Sequence, residues 1–419
     1  MIVTSLDPVR VADADLWLGE GRVTAPGEGT RLDCSDVLVL PGNVCAHTHL
    51  YSALARGMPY ALEPPESFLQ ILQRVWWRLD RALDEESVRA SALVGGLEAL
   101  LSGTTTLVDH HASPNAIDGS LDTIADALGS LGVRSILCYE TSDRDGAERA
   151  RAGIEENRRF RARVERDRPP LVRALVGAHA SFTLSDETLL ACAEAGPLHV
   201  HAAEDAVDRG AVSRLARLGV LDDGTLLAHG IHLSSEEVEL VRGSGASLAH
   251  NARSNMNNAV GRAHVLGLGP RVALGTDGIG SDMFEESRAA WFRLREDTLA
   301  APPGWPLASL AESARLAGRA FGEPLLGTLE PGAPADLVVL DYAPPTPLDA
   351  ASFAGHWVFG LASRHVRDVM VGGEWAVRSR RPARVDEGEL VAGARVQAER
   401  LWRRLAEIPP HPFEPEGGS

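Results

Sequence analysis

Pro41-Gly42-Asn43-Val44-Cys45-Ala46-His47-Thr48-His49 is the stretch whose reading decides the fold. An apolar run, Val37-Leu38-Val39-Leu40, leads into it, and a polar, helix-forming segment follows. The pattern predicts one buried strand over 38–49 that ends in two histidines. Residues i and i+2 of a strand face the same way, so His47 and His49 can reach one metal ion. Alone, the pair says little: with 14 histidines in 419 residues, about half of one His-x-His triplet arises by chance. Its weight comes from metal-type residues that end later strands.

Outward from that stretch, the middle of the chain, 41–330, alternates strand and helix. Strands are predicted at 38–49, 104–110, 134–139, 171–179, 198–203, 225–229, 247–251 and 272–277. Amphipathic segments lie between them, among them 85–101, 117–131, 148–166, 186–195 and 236–242. Eight strand-helix units predict an α/β fold, a (β/α)8 barrel. The alternative, a doubly wound open sheet, lacks a G-x-G-x-x-G after the first strand.

The two ends read differently. Short apolar runs broken by Gly, Pro and Asp occupy 1–40. Similar runs return at 334–340 and 366–377, where Gly372-Gly373 is a hairpin signal. Both ends, 1–40 and 331–385, are therefore expected to build one small β-sandwich, with the barrel as a long insertion. A Glu/Arg-rich helix is expected at 386–408, covering an edge or a partner. The Pro/Gly-rich tail, 409–419, is expected to be disordered.

Composition narrows the function classes. A net charge of −17 argues against a nucleic-acid polymer or an anionic membrane as partner. No apolar run is long enough to span a bilayer, and the first ten residues lack a secretory pattern. Four scattered cysteines, Cys34, Cys45, Cys138 and Cys192, without a Cys-x-x-Cys, suit reduced thiols in a cytoplasmic protein. All 41 basic residues are arginine. That excludes a Schiff-base lysine, a P-loop lysine and a lysine carbamate bridging two metals. The zinc deaminases that use H-x-E with P-C-x-x-C are excluded too, because neither spacing occurs.

In a barrel of this kind, chemistry sits at the C-terminal ends of the strands. Here those ends carry His47 and His49, His110 and His111, His179, His199 and His201 with Glu204, His229, His250 with Asn251, and Asp277. The set is far more specific than any member.

At this point the sequence resembles the amidohydrolase superfamily, and within it the nucleobase-type deaminases and related chlorohydrolases. The resemblance is carried by P-G-N-V-C-A-H-T-H at 41–49, H-V-H-A-A-E at 199–204, L-L-A-H-G at 226–230, H-N-A-R-S-N-M-N-N-A-V-G at 250–261 and L-G-T-D-G at 274–278. It extends over essentially the whole chain. The stretches 179–186, 201–205 and 251–261 are similar to bacterial aminohydrolases linked with purine and selenium metabolism.

The resemblance implies one divalent metal held by His47, His49, His201 and Asp277, with Zn²⁺ first and Fe²⁺ second. The absence of lysine agrees with a single metal. It also implies Asp277 as the base for the metal's water, His229 as the group that holds that water, and Glu204 as the proton donor to a ring nitrogen. His179 is expected to face the substrate. Of the pair that ends strand two, His111 is expected to line the pocket. Arg253, Asn255 and Asn258 are expected to hydrogen-bond an anionic or carbonyl-bearing substrate. Tyr51, Trp76 and Trp77 could wall a flat ring, and His199 is expected behind the ligands.

The expected activity is hydrolytic deamination of a planar N-heterocycle, a purine or related base. Two alternatives stay open: loss of a ring chloride or opening of a cyclic amide at the same site, and a non-catalytic binding protein on the same barrel. The expected partner is a small heterocycle, and the family likeness adds a homodimer.

Overall fold

The computed structural model describes residues 1–415. Eight parallel strands form the centre: β1 Asn43–Thr48, β2 Thr104–His111, β3 Arg134–Thr141, β4 Val176–Ala180, β5 Leu198–Ala202, β6 Leu226–His229, β7 Ser247–His250 and β8 Val272–Leu274. Each pairs with the next in chain order. A parallel bridge, Thr48 to Asp277, returns the last unit to the first, and the amides of Thr276 and Asp277 donate to the His47 carbonyl at 2.8 and 3.1 Å. The result is a nearly closed (β/α)8 barrel. Its strands are buried throughout, as expected where helices cover a parallel sheet.

The helices start where their caps dictate. Glu85–Leu101 follows Asp84, which exchanges hydrogen bonds with Ser87 in a capping box. Ser235–Ser244 follows the same device at Ser234 and Glu237, which starts it one residue before the predicted 236–242.

A second body of sheet lies outside the barrel. Its seven strands run in the order Arg381–Pro382, Glu374–Arg378, Val366–Val371, Leu337–Leu340, Leu38–Pro41, Ile2–Leu6, Val9–Ala12. Both chain ends contribute to it. A three-stranded sheet of Leu16–Gly19, Arg22–Thr24 and Thr30–Leu32 accompanies it. Ile2, Leu16, Val23, Val39, Leu337 and Met370 share one buried cluster. Gly372 and Gly373 turn the hairpin with φ of 57° and 83°, which a two-residue turn of this hand needs.

Three expectations are corrected. The run 38–49 is not one strand. Leu38–Pro41 pairs with Leu337–Leu340 in the outer sheet, and the barrel begins at Asn43. The crossing falls at Gly42, where a Cβ would lie 2.3 Å from Thr105 Oγ1. Likewise 171–179 divides into Val172–Ala174, beside β3, and β4. The tail is ordered over 409–415. The His411 amide donates to the Gln73 carbonyl (2.8 Å), Gln73 Nε2 donates to the Phe413 carbonyl (2.9 Å), and both rings pack on Trp77. Two aromatic anchors outweigh the Pro/Gly composition. Residues 416–419 lie outside the described residues.

Arg134, which opens β3, ties the barrel to the outer sheet. Its guanidinium donates two hydrogen bonds to Asp336, at 2.7 and 3.0 Å, and both side chains are buried. Asp336 also accepts from the Gly372 amide at 2.6 Å. Asp336→Ala leaves a buried guanidinium without its counter-charge. The expected loss is about 3–5 kcal/mol, read from urea unfolding midpoints.

Candidate active site

Three of the strand ends carry non-glycine residues in the left-handed region: Ala203 (φ 51°), His229 (φ 78°) and Asp277 (φ 54°). Such conformations cost about 1–3 kcal/mol each and gather where geometry serves function. Here they mark the ends of β5, β6 and β8.

The structure brings His47, His49, His201 and Asp277 together. His49 Nδ1–H donates to the His110 carbonyl (2.6 Å) and His201 Nδ1–H to the His179 carbonyl (2.7 Å). Both imidazoles therefore present Nε2 lone pairs, and these lie 3.1 Å apart. Asp277 Oδ1 is 3.0 Å from His49 Nε2 and 3.6 Å from His47 Nε2. His47 Nε2 is buried and makes no hydrogen bond, while its Nδ1 lies 2.9 Å from His199 Nε2. His199 thus stands behind His47.

Lone pairs this close repel one another unless they share a cation. Ligand bonds of about 2.0–2.1 Å in a tetrahedron put neighbouring donors about 3.3 Å apart, close to the separations seen. These three separations fit donors to one divalent ion, and one ring nitrogen each of His47, His201 and His229 and a carboxylate oxygen of Asp277 also lie within 4.8 Å of one another. Without it, burial would lower the His49 pKa, but the Asp277 and Glu140 carboxylates raise it to about 9. A proton on that nitrogen competes with a metal for the same lone pair.

Two carboxyl groups at the cluster are pushed in opposite directions. Burial pushes Glu204 well above the usual carboxylate range, and the Asp277 charge adds to it. Burial acts on Asp277 in the same sense, yet the His47 and His49 imidazoles beside it hold it well below that range. The Ser254 hydroxyl donates to Asp277 Oδ2, which leaves Oδ1 for the imidazoles. His229 Nδ1–H donates to Asn255 Oδ1 at 2.8 Å, and its Nε2 lies 3.4 Å from Glu204 Oε2. Asn258 Nδ2 reaches Glu204 Oε1 at 3.4 Å.

The pocket over this cluster is walled by Tyr51, Phe68, Leu72, Trp76, Trp77 and Phe182, with His179 and Asn258 also on its surface. Three expected substrate contacts are corrected. His111 is buried, bonds Ser113 Oγ at 2.9 Å and packs behind Tyr51. Arg253 spends its donors on Glu286 (2.7 Å), Glu285 (2.9 Å) and the Gly280 carbonyl (2.9 Å). Asn255 holds His229 and does not line the pocket.

Among the pocket residues that escaped the sequence reading, Glu140 sits closest to the histidine cluster. Glu140 ends β3, accepts from Arg144 Nη1 (2.9 Å) and lies 3.2 Å from His110 Nδ1. Arg144 is shared with Asp80. Burial pushes Glu140 up, but its hydrogen bonds from His110 and Arg144 and the Arg144 charge hold the group well below the usual range. The predicted third strand stopped at 139, one residue short. Extending it would have put a carboxylate among the strand-end histidines.

The family model described as amidohydrolase family matches residues 38–376. A 5-methylthioadenosine/S-adenosylhomocysteine deaminase from Desulforudis audaxviator (strain MP104C) is 30% identical, over 96% of this chain and 97% of its own. A 5'-deoxyadenosine deaminase from Methanopyrus kandleri (strain AV19) is 29% identical, over 87% and 86%. Among solved structures, an adenosine deaminase from Xanthomonas campestris with bound zinc shares the fold with a TM-score of 0.78, at 23% identity over 96% of each chain. An atrazine chlorohydrolase from Arthrobacter aurescens TC1 with zinc gives 0.76, at 22% identity over 95% and 99%.

Proposed function

This chain belongs to the amidohydrolase family, and from that premise we propose that it is a zinc-dependent aminohydrolase that deaminates a planar N-heterocycle, a purine or related base. Fe²⁺ is the second choice of metal, since it accepts the same ligands. The observation that carries the reading is the pair Glu204 and Asp277. Their surroundings favour the protonated form of Glu204 and the ionised form of Asp277, and Asp277 belongs to a cluster with His47, His201 and His229 whose donor atoms lie within 4.8 Å of one another. Environments that push two carboxyl groups apart assign the acid and the base. The relatives' names as deaminases support the same chemistry.

A divalent ion held by His47, His49, His201 and Asp277 would lower the pKa of a coordinated water to about 7 and so supply the nucleophile. The remaining steps belong to the chain. Trp76, Trp77, Phe68 and Phe182 hold the flat ring and keep bulk water away. Asp277 takes the nucleophile's proton. His229, locked by Asn255 with its Nε2 toward Glu204, orients the attacking oxygen. Glu204 gives its proton to a ring nitrogen, so that the adjacent carbon accepts oxygen and becomes tetrahedral. Proton return from Asp277 to the amine then expels ammonia.

We place the protein in the cytoplasm, which suits four free, buried cysteines. No helix among the described residues is long and apolar enough to cross a membrane.

The test is ammonia release from the zinc-loaded protein against aminopurines, adenosine analogues, aminopyrimidines, pterins and aminotriazines. Stoichiometric ammonia from at least one ring is expected. Chloride release or ring opening alone would overturn the reading.

A further inference from the structure

Glu140 and His179 close adjacent strands, β3 and β4, and both line the pocket. The proton on His179 is fixed by its neighbour. The Thr183 hydroxyl donates to the Ala180 carbonyl (3.1 Å), so its oxygen must accept from His179 Nδ1, 2.6 Å away. His179 Nε2 therefore offers a lone pair. It faces Glu140 Oε1 across 3.8 Å, beyond hydrogen-bond reach.

Neither group can turn away. Arg144 Nη1 and His110 Nδ1 pin the two oxygens of Glu140, and Asp80 and Asp145 hold Arg144. Two fixed acceptors thus stand side by side on the pocket wall. A Glu140 oxygen also lies within 4.8 Å of one ring nitrogen each of His49 and His201.

We propose that Glu140 and His179 form a receptor for a substrate amino group, so that the pocket selects an amino-bearing heterocycle, neutral or cationic, and rejects one carrying chloride or carboxylate there. The proposal rests on the deaminase reading above. An amino group has two diverging hydrogens and can donate one to each acceptor at about 2.9 Å. A halogen, carbonyl or carboxylate would set lone pair against lone pair and strand a desolvated carboxylate.

The charge of the wall agrees. Glu140, Asp208 and Asp277 line the pocket, and among the described residues no arginine does. The one cation expected there from sequence, Arg253, is consumed by Glu285 and Glu286.

Calorimetry on zinc-loaded Glu204→Gln protein, in which turnover is slowed, provides the test. The probes are adenine against 6-methylpurine and 6-chloropurine, and 2,6-diaminopurine against 2-chloroadenine. At one of the two positions the amino compound should bind at least tenfold tighter. Glu140→Gln should shrink the preference to about twofold. Should that variant not fold, Thr183→Val serves, because it frees the His179 proton. It should reduce the preference at least threefold with zinc content unchanged. Chloro or methyl compounds that bind as tightly as the amines at both positions would overturn the receptor. If ammonia is still released in that case, the deaminase reading survives it. An amino preference without ammonia from any ring would leave the receptor standing and remove the deaminase.

Discussion

Replacing Glu204 by glutamine is expected to lower kcat by about 10²–10⁴-fold, the range for loss of a positioned general acid, while bound metal stays at the wild-type level. Glutamine keeps the shape and can still meet Asn258, which now contacts Glu204 Oε1. It cannot deliver a proton to a ring nitrogen. The site should not distort, because Glu204 is not among the four proposed donors. It is also a group whose charged form is disfavoured by burial and by Asp277, so a neutral amide costs little stability. Ammonia release, metal analysis and thermal unfolding on one preparation separate the roles. Loss of metal together with activity would make Glu204 a ligand and leave the ring nitrogen without its acid.

Asp277→Asn is expected to do more. It should lower kcat/KM by more than about three orders of magnitude, since metal activation of the nucleophile is lost with the metal. Asp277 Oδ1 stands 3.0 Å from His49 Nε2 and is the only anionic oxygen in the proposed shell. The amide removes both the charge that offsets a divalent ion and the proton acceptor. A second readout does not depend on turnover. Zinc at 100 times its dissociation constant should stabilise the wild-type fold by about 2.7 kcal/mol. The variant should show almost none of that gain at the same concentration. A variant that binds zinc as tightly as wild type would refute the assignment of Asp277 as ligand.

The barrel and the imidazoles and carboxylates near its strand ends were legible from local pattern, whereas the choice of His47, His49, His201 and Asp277 as one ligand set came from the family resemblance. Strand periodicity located the eight strands, and histidine or aspartate at their ends stood out against apolar runs. What escaped depends on partners distant in sequence. Glu140 gains its place from His110, 30 residues back, and His179, in the next strand. Arg253 looked free in an Asn-rich loop, yet its counter-charges arrive on the helix Met283–Asp297. Asn255 was expected on the substrate and sits behind His229, because a short helix, Ala252–Asn257, turns it inward. Residues 409–415 were misjudged because composition does not register Phe413 and His411 meeting Trp77.

The crossing at Gly42 has a mechanical meaning. Leu38–Pro41 and Asn43–Thr48 are a single ribbon gripped by two different sheets. A slip of one residue in the outer grip would drag His47 along by about 3.3 Å, more than the whole length of a ligand bond of about 2.0–2.1 Å. The outer sheet is in that sense a depth gauge, and damage to it, far from any substrate, would be felt as a weaker hold on the ion.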